Sequence, residues 1–251
     1  MSYESRTNSR KPVVLSWSGG KDSALALDAL RRGREFEVAG LLTSVTRGYD
    51  RISVHGVRRS LLHAQAESLG LPLREILLEK NCTNQSYEAS FHAALQTVRE
   101  QRPDVAHIAF GDLFLEDVRA YRERLLTGTG FDPVFPLWGL DTIQLARRFI
   151  VDGFRARIVC VDTTQLDGEF AGREFDNALL ADLPPSVDPC GERGEFHTFV
   201  SDGPGFRREV KCAAGMRVLR EERFMYCDLV EPPVHAPLID ESTHLDQSEG
   251  R

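Results

Sequence analysis

Apolar residues along the first two thirds of the chain alternate between two rhythms. Short apolar runs at 13–17, 38–45, 73–78 and 105–110 read as strands. Each is followed by a stretch with helical spacing, at 22–32, 57–69, 86–102 and from about 119 to 127. In the second helix Leu61, Leu62, Ala64 and Leu69 can share one face before Gly70-Leu71-Pro72 stops it, and in the third Phe91, Leu95 and Val98 do the same. Strand alternating with helix is the mark of a parallel sheet with helices on its faces. A short segment at 134–138, a helix over 142–151 and a strand over 156–161 follow. From Pro184 the chain changes character: it is rich in Gly, Pro, Asp and Glu, with short β-like runs at 197–200, 209–212 and 223–230. The expected architecture is therefore an α/β, Rossmann-like domain over 12–165 with helices on both faces and a smaller C-terminal α+β region over 166–231. A leader over 1–11, rich in Ser, Arg and Asn, and a tail over 232–251 read as disordered.

The chemistry concentrates where the first strand turns into the first helix, at Ser-Trp-Ser-Gly-Gly-Lys-Asp-Ser, residues 16–23. Ser16, Ser18 and Ser23 carry hydroxyls, and Gly19 and Gly20 let backbone N–H groups approach anionic oxygens. The helix that follows adds its positive end. Lys21 supplies a cation, and Asp22 is a candidate ligand for the Mg²⁺ that accompanies a nucleotide. The order is not that of a Walker A loop. Other strand ends supply partners. Leu42 and Thr43 can cover an adenine and offer backbone hydrogen bonds, and Gly111 and Asp112 can approach a ribose or Mg²⁺. A Gly-Asp after a strand is also a common turn.

A second motif runs from Asp188 to Phe199; after Asp188 it sets two carboxylates three residues apart, Glu192 and Glu195, with a thiol and an imidazole around two glycines. Cys190 at a Gly-rich turn reads as either a nucleophile or a structural thiol. His197, in a strand-like alternation, reads as catalytic or as a structural imidazole. Glu192 and Glu195 can orient an acceptor or deprotonate an incoming amine, and can equally cap the loop's backbone amides.

SGGKDS resembles the PP-loop of the N-type ATP pyrophosphatases, which cleave ATP between the α and β phosphates. Together with Gly111-Asp112, Glu116-Asp117-Val-Arg119, Phe135-Pro-Leu-Trp138 and Cys-Gly-Glu-x-Gly-Glu-Phe-x-Thr at 190–198, it resembles the diphthine-ammonia ligase family, over about residues 13–229. The resemblance implies an adenine-nucleotide α-hydrolase-like (HUP-type) fold, with ATP and Mg²⁺ as cofactors. It also implies an amidation in which a carboxylate is adenylated, pyrophosphate leaves and ammonia attacks. Lys21 and Asp22 would then be catalytic with Glu192 and Glu195, and Asp22 and Asp112 would hold the metal. His55, Arg119, Cys190, Gly191, Gly194 and Thr198 would lie on the acceptor side. Arg193 stands where the family motif has glycine, and Leu125 where related chains often place a Cys. The implied acceptor is the diphthine of elongation factor 2. The preference for Arg over Lys points to a GC-rich genome, and in a bacterium, which has no diphthine, the acceptor is an unknown bacterial carboxylate.

Composition narrows the alternatives. At 251 residues with 41% hydrophobic and 27% charged residues, the chain can bury about 70% of its unfolded surface. No apolar run approaches the ~20 residues of a membrane span, and the N-terminus lacks a signal-peptide core, so a cytoplasmic protein is expected. A net charge of −7 argues against a general nucleic-acid surface. Five cysteines, none in C-x-x-C spacing, give neither a disulfide framework nor a zinc knuckle. These features disfavour a second PP-loop reading, a tRNA-modifying or sulfur-transfer enzyme. A non-catalytic adenine-nucleotide sensor is the third. Association as a homodimer is compatible with the sequence.

Overall fold

A computed structural model of the chain describes residues 10–53 and 55–231. The tail read over 232–251 and nearly all of the leader lie outside those residues, while Lys11 already opens the first strand.

Five parallel strands form the first sheet: β1 (Lys11–Ser16), β2 (Phe36–Thr46), β4 (Leu73–Leu78), β5 (His107–Ala109) and β6 (Asp132–Val134). Across the sheet the order is β4-β2-β1-β5-β6, and the two-residue β3 (Arg51–Ile52) adds an antiparallel pairing to the end of β2. The connections are α1 (Lys21–Arg32), α2 (Arg59–Leu69), α3 (Asn84–Gln101) and α4 (Glu116–Leu126). Successive strand residues point to opposite faces, and two cores result. Val13, Leu15 and Leu41 face one core with Leu25 and Leu27 of α1 and Leu61 and Leu62 of α2. Val14, Leu42 and Ile108 face the other with Phe91 and Leu95 of α3 and Leu125 and Leu126 of α4. This is the expected α/β sheet with helices on both faces. Leu125 is core.

After α5 (Thr142–Val151) the chain builds a second, antiparallel sheet in the order β8-β7-β10-β9. Its strands are β7 (Arg155–Asp162), β8 (Phe196–Asp202), β9 (Ala213–Arg220) and β10 (Phe224–Val230), with the short helix α6 (Asn177–Asp182) between the first two. The strand read at 156–161 as the last unit of the first region thus pairs here. An apolar run shows that a strand is buried but not which partner it takes. The run read at 209–212 is not a strand; pairing begins at Ala213. β9 is almost wholly exposed, so it carries no alternating apolar signal. Its pairing with β10 forms it, closed by Glu221 and Glu222 at φ 51° and 52°. Phe149 of α5, stacked 4.8 Å from Phe154 and edge-on to Phe175 at 5.4 Å, joins this sheet to the core under α1. That packing fixes β8 beside the loop that follows β1.

Candidate functional site

The loop between β1 and α1 crosses the carboxyl edge of the first sheet, where strand ends expose backbone and the helix presents its positive end. Gly19 needs its positive φ of 79°, and a Cβ there would stand 2.8 Å from Gln65 Oε1. Gln65 is fully buried. Its Nε2 donates to Gly19 O (3.0 Å) and Val200 O (2.6 Å), and its Oε1 accepts from Trp17 Nε1 (3.0 Å). One amide therefore ties the loop to α2 and β8. A polar residue among Leu61, Leu62 and Leu69 on an apolar helix face was the sequence signal for it. Thr43 Oγ1 donates to Trp17 O at 2.7 Å, which closes the loop from β2.

Lys21 lies only 2% exposed, with Nζ 2.8 Å from both Asp22 oxygens. Burial works against its charge, but the Asp22 carboxylate outweighs it and holds the ammonium above its ordinary pKa. The Lys21 backbone N–H donates to Thr198 Oγ1 at 3.0 Å, so β8 of the second sheet caps the first turn of α1. Gly111 fits against the same turn: a Cβ on it would lie 3.0 Å from the Asp22 carbonyl. Asp112 follows, with Oδ2 accepting from Arg122 Nε at 3.3 Å.

Around these residues opens a cleft of about 1120 Å³. Ser16, Ser18, Gly20, Lys21, Asp22 and Ser23 line it from the loop, and Leu42, Thr43, Gly111 and Asp112 from the other strand ends. His55, Gly191, Glu192, Gly194 and Thr198 line it from the second sheet's side. The sequence-predicted residues thus come together, with four exceptions. Gly19 lies behind the loop, its carbonyl held by Gln65 Nε2 and Val200 N–H. Arg119 points to the outer surface, stacked over Phe135 and Trp138 and paired with Glu123. Cys190 is buried with Sγ donating to Thr142 O at 3.3 Å, and burial pushes its thiol up to about 12, which keeps it protonated. Glu195, 1% exposed, accepts from Asp188 N–H (2.8 Å) and Arg193 N–H (2.9 Å).

Two family models match the chain: the diphthamide synthase N-terminal domain over residues 11–133 and the diphthamide synthase C-terminal domain over residues 141–229. The chain belongs to the diphthamide synthase family. It is 25% identical over 210 residues to a diphthine–ammonia ligase of Schizosaccharomyces pombe, covering 77% of this chain and 34% of that protein. It is 26% identical over 213 residues to the diphthine–ammonia ligase of Homo sapiens, covering 77% of this chain and 79% of that one. A Saccharomyces cerevisiae diphthine–ammonia ligase is 24% identical over 239 residues, 79% of this chain and 35% of its own length. The chain therefore spans about a third of the two fungal relatives.

In this diphthamide synthase family member the late loop divides its carboxylates. Glu192 faces the cleft, with Oε1 accepting from Leu113 N–H at 2.8 Å. Burial, with the Asp22 and Asp112 charges adding to it, lifts its carboxyl to about 7. Glu195 instead holds the loop from within, and Asp188 does the same by accepting from Cys190 N–H (2.8 Å) and Thr142 Oγ1 (2.8 Å). Gly191, at φ 66°, packs so tightly on Phe196 O that a Cβ would lie 2.7 Å away. Glu195→Ala leaves the buried Asp188 N–H and the part-buried Arg193 N–H without acceptors, so a loss on the order of 1–3 kcal/mol is expected in urea unfolding, with a smaller one for Glu195→Gln. An unchanged midpoint would show that Glu195 does not hold the loop.

Sequence reading missed two contributors to the wall, Tyr87 and Arg122, and left His197 open between a catalytic and a structural role. His197 lies 4.6 Å from His55, ring centre to ring centre. Burial holds His197 down at about 4 and His55 well below its ordinary value, so both rings are neutral at pH 7. Tyr87 enters from α3 without any sequence signal, and Arg122 enters from α4. Among the described residues no helix is long and apolar enough to cross a membrane, and no group of three or more His, Cys, Asp or Glu side chains could hold a metal.

Proposed function

We propose that this protein is an ATP-dependent, AMP-forming ligase that adenylates a carboxylate and joins ammonia to it; the joining to ammonia is what the name diphthine–ammonia ligase describes for its relatives. The observation that carries the reading is the single cleft shared by the two motifs, in which the Thr198 hydroxyl accepts the Lys21 N–H while Glu192 and Asp22 face the same space. Family membership supports the amide-forming chemistry.

In this reading the loop amides, Ser18, Ser23 and Lys21 hold the phosphates of ATP, and Leu42 and Thr43 border the adenine. Gly111 leaves the ribose a close approach. Mg²⁺ takes hard oxygen ligands and commonly keeps one or two carboxylates with substrate phosphates. Asp22 and Asp112, on adjoining stretches of the cleft wall, fit that donor set and would hold the ion, which supplies charge neutralisation for the triphosphate. An acceptor carboxylate oxygen attacks the α-phosphorus and the bond to pyrophosphate breaks. Ammonia then attacks the activated carbonyl, the carbonyl–AMP bond breaks, and the nitrogen sheds a proton to Glu192, whose carboxyl near 7 is matched to that task. Cys190, protonated and turned away, takes no part. The acceptor belongs to the carboxylates that the Glu192 side of the cleft admits. Arg193, next to Glu192, does not line the cleft; its guanidinium lies 5.6 Å over the Phe114 ring.

The reading predicts AMP and pyrophosphate in equal amounts, formed only when an acceptor is present. Protein, Mg-ATP and ¹⁵N-ammonium with an extract of the source organism should yield a product that gains one ¹⁵N amide by mass spectrometry. ADP as the main product would end the adenylation reading. Tight ATP binding without turnover across such extracts would favour the sensor.

A further inference from the structure

We propose that Arg122 is a second cation of the nucleotide's phosphate site, held in reserve by Asp112 until a phosphate takes its place. The inference rests on the reading of the cleft as an ATP site.

Place comes first. Gly111 abuts the first turn of α1, within 3.0 Å of the Asp22 carbonyl for a Cβ built on it. Asp112 is the next residue, and its carboxylate reaches Arg122. Arg122 therefore stands within about one side chain of the loop that carries Lys21, but approaches from the opposite face of the sheet. α1 packs on one core, whereas α4 and Phe110 pack on the other.

Preparation of the side chain is the second observation. The guanidinium lies 5.1 Å over the Phe110 ring, and its side chain is 24% exposed, in the cleft wall. Among the described residues the carboxylate it pairs with is Asp112. Nε carries that contact, and a planar fork of this kind suits phosphate oxygens in a way that a lysine does not.

Charge supplies the third argument. A triphosphate brings about four negative charges, yet Lys21 has both Asp22 oxygens at 2.8 Å. One neutralised lysine is a weak lure for so much charge. At Gly111 two cation–carboxylate pairs of the cleft, Lys21–Asp22 and Arg122–Asp112, meet from the two faces of the sheet, while a third, Arg51–Asp228, stands at the β3 end. Asp22 and Asp112 are the oxygen donors that suit Mg²⁺. A carboxylate that turns to a metal releases its cation to a phosphate, so both cations become available when Mg-ATP arrives and are quenched when it is absent.

The test is titration calorimetry on the full chain with ATP, inorganic pyrophosphate and adenosine. Arg122→Gln should weaken ATP and pyrophosphate by about ten- to hundredfold and leave adenosine unchanged, with Arg122→Lys between it and the parent protein. In EDTA, Asp112→Asn should tighten pyrophosphate binding by freeing the guanidinium, and that gain should vanish in Asp112→Asn/Arg122→Gln. Should Arg122→Gln melt early, Arg122→Lys and the Asp112→Asn titration decide instead. Unchanged pyrophosphate affinity in the Arg122 variants would overturn the proposal, as would an equal loss for adenosine, which would make Arg122 a wall of the base pocket. A gain in Asp112→Asn that survives removal of Arg122 would also overturn it. If the parent protein binds pyrophosphate and only the Arg122 effects fail, the nucleotide reading stands and this inference falls; if the parent protein binds neither ATP nor pyrophosphate, both fall.

Discussion

Glu192→Gln is expected to lower amide formation by about a hundred- to ten-thousandfold while Mg-ATP affinity stays nearly unchanged, the pattern of a lost proton acceptor rather than a lost binding contact. The carboxyl sits at about 7 because burial and the neighbouring Asp22 and Asp112 charges oppose ionisation more than the Leu113 N–H and Lys21 favour it. Only the ionised form accepts a proton. The turnover of the parent protein should therefore rise with pH toward about 7 and level off above, and the glutamine variant should lose that limb. Stability moves the other way. A carboxyl raised from its ordinary 4.5 to about 7 favours the folded state below 4.5, and that advantage is lost as pH rises through 7. Glutamine imitates the protonated form, so Glu192→Gln should melt above the parent protein at pH 8 and with it at pH 4. A pH–rate profile with the same limb in both proteins would remove Glu192 from the chemistry.

Lys21→Ala should weaken Mg-ATP binding by about ten- to hundredfold, the worth of roughly 1.5–3 kcal/mol for one charged hydrogen bond to phosphate. The loss in turnover should be larger, since charge on the leaving pyrophosphate grows as its bond breaks. The substitution also strips Asp22 of the cation that both its oxygens touch and empties the space against the Phe196 ring. Lys21→Met, which keeps the volume, separates packing from charge: its melting temperature should stay nearer the parent value while its ATP affinity falls as far. Calorimetry that finds parental ATP affinity in both variants would sink the phosphate role.

Much of this was legible in the chain. Alternating strand and helix periodicities gave the parallel sheet, because burial on both faces writes a local pattern. The Gly-rich turn after β1 announced a tight loop at the carboxyl edge of the sheet, because positive φ and close backbone approach demand glycine. Elsewhere local pattern misled. Pattern placed a strand at 209–212, whereas β9 at Ala213–Arg220 is made by its partner and not by its own side chains. It also left Glu192 and Glu195 indistinguishable, two like carboxylates three residues apart.

By itself, then, the sequence determined which residue types sit at the end of β1 and in the 190–198 loop, and that a sheet of parallel strands would carry the first of them. Periodicity and glycine placement are local, so a single chain records them. Only the tertiary structure decided that the second sheet lays Thr198 on the first turn of α1, that Glu192 turns into the cleft while Glu195 turns into the loop, and that Arg122 reaches Asp112 from the far face. Those outcomes depend on contacts between residues up to 177 positions apart, and on whether a side chain is surrounded by amides or by open space. Neither is written in any short stretch of residues.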